Sequence, residues 1–231
     1  MKALLTDIDG TITGPDRLIS TGAIEVMRVL KDHGIELVLA SGNTACFMDA
    51  LSRMIGTNGS FIAENGGVYR IGYTGELKIL GDQSACKEAL SAVKTFFLQR
   101  GVELDMYSAP YRYADVAFAK TVPVAEVKDI VRGFPVDVLD TGFAIHLQQK
   151  GINKGTAFQR VAEDIGIPPA EFLAIGDAIN DVEMIRMAGT GVAVANAHAS
   201  MKSAAGWVCQ KKYGEGFIEA IQKYFPYFRE R

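Results

Sequence analysis

Cysteine is scarce. Cys46, Cys86 and Cys209 are odd in number, far apart, and lack the paired spacing of a zinc site or a disulfide framework. They read as free thiols in a reducing compartment, which makes the cytoplasm the expected location. An excess of charge of one sign is also missing. Lys plus Arg number 24 against 27 Asp plus Glu, a formal charge of −3, so no global field would gather nucleic acid or an anionic membrane. Nor does any apolar run approach the roughly 20 residues that span a bilayer. The first residues lead into a strand pattern instead of a signal peptide, so secretion is not expected. No solenoid-period repeat and no low-complexity tract is visible. What remains is a chain of 231 residues, 48% hydrophobic, long enough to bury one core and carry an insert. It is expected to work as a monomer or homodimer on a small charged ligand held at a local site.

Ala3 to Leu5 form a short apolar run, followed by helical periodicity at Ile24, Met27, Val29 and Leu30 that Gly34 stops. Ile35 to Ala40 has strand length, Thr44 to Ile55 reads as a helix, and Phe61 to Ala63 is another apolar run. This is the βαβ rhythm of a parallel sheet covered on both faces, a Rossmann-like α/β fold. The rhythm returns after residue 150: helix (Phe158, Val161, Ala162, Ile165), strand (Phe172 to Ile175), helix (Val182, Ile185, Ala188), strand (Val192 to Ala195). Trp207 to Cys209 reads as a last strand and Phe217 to Tyr224 as a closing helix, with Tyr224, Phe225, Tyr227 and Phe228 packing it.

The middle of the chain follows another pattern. Val68 to Leu80 reads as a hairpin turning near Gly75, and Ser84 to Arg100 as an amphipathic helix with Ala89, Val93, Phe96 and Phe97 on one stripe. Period-two alternation follows at Val102, Leu104 and Met106 and again at Val116 and Phe118. A helix from Pro123 and alternating runs at Val136 to Leu139 and Phe143 to Leu147 complete an α+β unit. The expected division is a core of residues 1–81 and 151–231 with an α+β cap inserted at 82–150.

Four segments carry chemistry. The first strand runs into Asp7-Ile8-Asp9-Gly10-Thr11, so two carboxylates leave the carboxyl edge of a parallel sheet, where open α/β folds place ligands. Residues two apart in extended chain point the same way, so one carboxylate can attack phosphorus while the other reaches the leaving oxygen. A single Asp there would be an ordinary acidic turn. The second strand ends at Ser41-Gly42-Asn43-Thr44, where a hydroxyl and free amides at a helix start can hold a phosphate oxygen. Taken alone, that string is equally a helix cap. Asn153 reads as a helix cap that puts Lys154 in the first turn, where its charge opposes the helix dipole by about 0.3–1 kcal/mol. A Lys beside free amides makes an anion clamp; an exposed Lys on a tolerant helix is the plain alternative. Gly176-Asp177-Ala178-Ile179-Asn180-Asp181 follows another strand-like run and adds Asp177 and Asp181 to the acids. Four converging carboxylates repel unless a cation sits among them, and oxygen ligands without His or Cys select Mg²⁺.

These segments resemble the four motifs of the haloacid dehalogenase superfamily, and the insert between the second motif and the Lys resembles its Cof-like and archaeal phosphoglycolate phosphatase branch. Glu64-Asn65-Gly66-Gly67, Gly142 to His146, Ile152 to Gly155 and Tyr213 to Gly216 are similar to that archaeal branch too. Many Cof-like sugar phosphatases have Arg where Asn43 stands. The resemblance implies a magnesium-dependent phosphatase acting on a small phosphomonoester, best matched by 2-phosphoglycolate. It implies Asp7 as nucleophile, Asp9 as general acid and base, and Lys154 as charge partner. It also implies phosphate contacts from Thr11, Ser41, Gly42, Asn43, Lys154 and Asn180, and a metal at Asp7, Asp9 (through its carbonyl), Asp177 and Asp181. A phosphomutase or a sugar phosphatase of the same superfamily is the rival enzyme, and a non-catalytic phosphate-binding module the rival of another class.

On the alternation near residue 145, Phe143, Ile145 and Leu147 face the cap helices. His146 and Gln148 then share the other face with Glu103, Asp105 and Asp115. If that face meets the active site, His146 and Gln148 are the specificity candidates; a plain polar strand face is the alternative. An acidic face would repel a substrate carboxylate, so a cation such as Arg112 or Lys150 is expected near it. His33 and His198 are expected at the surface.

Overall fold

The computed structural model describes residues 1–225 and Phe228, so Tyr227 of the expected aromatic packing lies outside the described residues. The first half of the large sheet comes from β1 (Ala3–Asp7), α1 (Thr21–Asp32), β2 (Glu36–Ala40), α2 (Ala45–Ile55) and β3 (Ser60–Ala63), followed by the hairpin β4 (Val68–Arg70) and β5 (Lys78–Ile79). All five residues of β1 are buried, as both faces of a parallel strand are covered by helices. In α1, Ser20 caps the start by accepting from the Ala23 amide, and Ala23, Met27 and Leu30 form the buried stripe.

The chain then builds a smaller unit: α3 (Gln83–Leu98), β6 (Val116–Ala119), α4 (Val124–Ile130), β7 (Val136–Asp140) and β8 (Ala144–Gln149). It returns through α5 (Lys154–Ile165), β9 (Phe172–Gly176), α6 (Val182–Met187), β10 (Thr190–Ala193), α7 (Ala199–Ala204), β11 (Trp207–Val208) and α8 (Tyr213–Tyr224). The large sheet has the order β11-β10-β9-β1-β2-β3-β4-β5, parallel from β11 to β3 and antiparallel beyond. Its strand β1 lies between β2 and β9, so the crossover direction reverses there and a crevice opens at the carboxyl ends of these three strands. The smaller sheet has the antiparallel order β6-β8-β7.

Each sheet has its own hydrophobic cluster. Phe158 of α5 meets Phe172 of β9 edge to face at 4.8 Å in the large one. Cys86, Ala89, Leu90, Val93 and Phe97 of α3 pack on Ile145 and Leu147 of β8 in the small one. Near the carboxyl end, Trp207 and Tyr224 meet edge to face at 6.0 Å, and Phe225 is buried.

Two sequence expectations are corrected and one helix is added. Val102 to Met106 is not a strand: the alternation yields one bridge, Met106 to Phe118. The ladder stops because Ser108 enters the left-handed region at φ 53 and the chain turns through Ala109–Tyr111. Phe143 does not face the helices; it precedes β8, is 41% exposed, and lies under the Arg17 guanidinium at 4.2 Å. The short helix α7, capped by His198 accepting from the Ser200 amide, has too few apolar positions for periodicity to show it.

Candidate active site

β1, β2 and β9 run in register, with Asp7 opposite Ala40 and Thr6 opposite Ile175, so the three strands deliver Asp7, Ser41 and Asp177 to one edge. Past Asp7 the chain must turn sharply. Gly10 does so at φ +87, and a Cβ there would run into the Asp177 carboxylate. Asn196, after β10, donates Nδ2 to the Gly10 carbonyl at 2.8 Å and accepts from the Tyr213 amide at 2.8 Å, pinning the loop from below.

The Ser41 hydroxyl oxygen accepts from the Asn43 amide at 3.1 Å and from Asn43 Nδ2 at 2.9 Å, and the same Nδ2 donates to Asp9 Oδ2 at 2.9 Å. Asn43 thus joins the first two segments. At the start of α5, Asn153 and Thr156 form the reciprocal cap that sets Lys154 as the first helical residue. Lys154 is 1% exposed and donates Nζ to Asp7 Oδ1 at 2.5 Å and to Asp181 Oδ1 at 2.6 Å. The other oxygen of Asp181 accepts from the Asp177 and Ala178 amides at 3.1 and 3.0 Å. Asp181 is therefore fully engaged within the protein.

Asp7, Asp177 and Asp181 each place a carboxylate oxygen within 4.8 Å of the others. Burial, then the Asp181 charge, push the Asp7 carboxyl well above its ordinary range despite Lys154. Burial, Asp181 and more weakly Asp9 push Asp177 up to about 7, against Lys154 and a bond from the Thr11 hydroxyl. Burial pulls Lys154 down, but Asp181 and Asp7 outweigh it and the ammonium is held above its usual range. Asp7 Oδ2 is buried and has no hydrogen-bond partner among the described residues. An orphaned carboxylate oxygen beside a second acid that resists ionisation, with only oxygen donors present, fits a hard divalent cation on Asp7 and Asp177.

A cavity of about 330 Å³ opens on this edge. Of the residues singled out from sequence, Asp7, Asp9, Ser41, Gly42, Asn43, Asp177, Asn180 and His146 line it. Lys154, Thr11, Asp181 and Gln148 do not. Lys154 and Asp181 stand behind Asp7, and the Thr11 hydroxyl turns to Asp177 Oδ1 at 3.3 Å. Gln148 spends its amide on the Asn65 carbonyl at 3.1 Å, so it is not in position to read a ligand there. Asp9 enters no carboxylate cluster through its side chain, which faces Asn43. Arg112 lines the cavity, whereas Lys150 does not.

The model of haloacid dehalogenase-like hydrolases matches residues 4–133 and 137–221. The chain belongs to this family. It is 54% identical over 233 residues to a phosphoglycolate phosphatase of Methanoculleus marisnigri, with all of both chains covered, and 47% identical over 231 residues to one of Methanospirillum hungatei, again over both full lengths. The crystal structure of Thermoplasma acidophilum 0175 superposes with a TM-score of 0.86 at 26% identity, covering 96% of this chain and 97% of that one. A haloacid dehalogenase-like hydrolase from Bacteroides thetaiotaomicron shares the fold with a TM-score of 0.78 at 24% identity, over 97% and 99% of the two chains.

In this dehalogenase-family hydrolase, a knot after β3 escaped the motif reading. Glu64, Asn65 and Gly66 take φ of 51, 53 and 103 in succession, and a Cβ on Gly66 would collide with the Asn153 carbonyl. The Glu64 carboxylate accepts from the amides of Tyr113, Ala114 and Asp115 at 3.0, 2.8 and 3.3 Å, docking the smaller unit on the larger. Burial and the Asp115 charge push Glu64 up to about 6 against those three amides. Asn65 Oδ1 accepts from Asn180 Nδ2 at 2.9 Å. The string Glu64 to Gly67 resembles the family, but nothing in its composition tells which distant amides it holds.

Proposed function

We propose that this hydrolase cleaves a small phosphomonoester through an aspartyl phosphate on Asp7, with 2-phosphoglycolate as substrate. The observation that carries the reading is the condition of Asp7. It stands at a strand end on the cavity wall, with Oδ1 held by Lys154 at 2.5 Å and Oδ2 without a partner among the described residues. The full-length relatives named phosphoglycolate phosphatase support the choice of substrate.

In the first step an Asp7 oxygen attacks phosphorus, the bond to the ester oxygen breaks, and Asp9 hands a proton to the departing alkoxide. Water then attacks the acyl phosphate, Asp9 takes its proton, and the bond to Asp7 breaks to give phosphate and the carboxylate. Lys154 aims Asp7 and opposes the burial that favours its protonated form, while Ser41, the amides at Gly42 and Asn43, and Asn180 receive the phosphoryl oxygens. Mg²⁺ held by Asp7, Asp177 and the Asp9 carbonyl, with Asp181 in support, would draw charge from those oxygens. Residues 82–150 act as a cap over the core of 1–81 and 151–231 and exclude bulk water during the chemistry. The three free cysteines, of which Cys86 and Cys209 are buried, agree with a reducing cytoplasm.

Phosphate release from 2-phosphoglycolate, sugar phosphates and nucleotides, with Mg²⁺ and with EDTA, tests the reading. The expected result is fastest release from 2-phosphoglycolate, lost in EDTA and in Asp7→Asn. Transfer to an acceptor sugar without free phosphate, or turnover by Asp7→Asn, contradicts it.

A further inference from the structure

Acids from the large sheet face the cavity together with Arg112 and His146 from the smaller unit, so the wall opposite the carboxylates carries a guanidinium and an imidazole. His146 is 3% exposed and is held through one ring nitrogen, Nδ1, 2.8 Å from Asp115 Oδ2, with the Asn65 amide nitrogen 3.3 Å from the same atom. Asp115 is fully buried, and its other oxygen accepts from Arg112 Nη1 at 2.6 Å. Burial alone would raise the Asp115 carboxyl, but His146 and Arg112 prevail and hold it below the usual carboxylate range.

An ionised Asp115 can only accept, so Nδ1 carries a proton and Nε2 is the atom His146 offers to the cavity; a carboxylate also only accepts, so it is met by the imidazolium form, whose Nε2–H donates. Nε2 has no hydrogen-bond partner among the described residues, although the ring is almost wholly buried and lines the cavity. Arg112 is nearly saturated. It donates to Asp115, to the Tyr107 carbonyl at 3.0 Å and twice to the Gly42 carbonyl at 3.3 Å, which leaves one Nη2 hydrogen. The cap residues that raised an electrostatic objection, Glu103 and Asp105, are exposed and do not line the cavity.

We infer that His146 Nε2, with the Arg112 guanidinium joined to it through Asp115, binds a second anionic group of the substrate, a carboxylate on the short chain that bears the phosphate. This rests on the phosphomonoesterase reading of the opposite wall. Asp115 is a positioning residue: it orients the imidazole through Nδ1, balances its charge and keeps Arg112 in the wall. A space of about 330 Å³ is at the small end for ligand sites, which suits a phosphate and a two- or three-carbon acid.

The test is calorimetric binding of 2-phosphoglycolate and of ethyl phosphate, which lacks the carboxylate, to full-length Asp7→Asn protein in Mg²⁺. The acid ester is expected to bind about 10-fold or more tighter, the worth of a charged hydrogen bond. Adding His146→Ala should bring the ratio to about one with ethyl phosphate binding held within about twofold. His146→Gln carries the same comparison if the Ala variant does not fold. Asp115→Asn should shrink the ratio too and move the imidazole ¹⁵N resonances of His146 in the complex away from those of the doubly protonated ring. Equal binding of both esters, or a His146 substitution that weakens both alike or neither, overturns the inference. Failure of the phosphatase reading shows separately, as no phosphate release by the unmodified enzyme from either ester while the binding ratio persists.

Discussion

Lys154 Nζ stands 2.5 Å from Asp7 Oδ1, 147 positions away in the chain, and 2.6 Å from Asp181 Oδ1. All three groups are buried, so the ammonium compensates two carboxylates that are largely withdrawn from water. Lys154→Met leaves both without their cation. Breaking a buried pair in this way costs about 3–5 kcal/mol, so urea unfolding at pH 8 without metal should show a loss of that size. The loss should shrink at pH 5, where the freed Asp7 protonates. A variant as stable as the parent at pH 8 would show the pair to be unimportant.

Stability of the metal-free protein should fall as pH rises. Asp177, held at about 7, and Asp7, also raised, bind protons more tightly folded than unfolded, where aspartates ionise near pH 3.9. Their contribution is whole below the unfolded value and is lost as pH climbs through the folded one. In EDTA, Tm should decline between pH 5 and 8, and Mg²⁺ should restore it most at pH 8. A Tm that does not change over that range, with and without Mg²⁺, contradicts this electrostatic picture.

Glu64→Gln keeps the shape of the group that receives the Tyr113, Ala114 and Asp115 amides but removes its charge. Hydrogen bonds to charged groups are worth about 1.5–3 kcal/mol, so hydrogen exchange at those three amides should quicken by roughly 10-fold or more. Amides inside α3, which do not touch Glu64, should keep their rates. Uniform acceleration of both sets would mean global loosening instead.

The edge that gathers Asp7, Ser41, Lys154 and Asp177 is legible in the sequence because each residue follows an apolar run or a capping residue, and parallel topology brings such ends together. The helix cap at Asn153 places Lys154 without any coordinates. The opposite wall is not legible in the same way. Asp115 and His146 meet across 31 positions, and Asn65 and His146 across 81, through docking of one unit on another. Period-two alternation tells that His146 and Gln148 share a strand face, but not that Asn65 absorbs Gln148 while His146 Nε2 has no partner among the described residues. Alternation also misleads at Val102 to Met106, where Ser108 turns the chain away after one bridge.

The central claim, that a side chain carries the phosphoryl group between two displacements, is tested most directly by the stereochemical course at phosphorus. A phosphorothioate analogue of the substrate, made chiral at phosphorus with sulfur and one heavy oxygen isotope and hydrolysed in water of the other, should give thiophosphate with retained configuration, since two in-line displacements each invert it. Net inversion would mean that water attacks the ester directly, and Asp7 would not be a nucleophile.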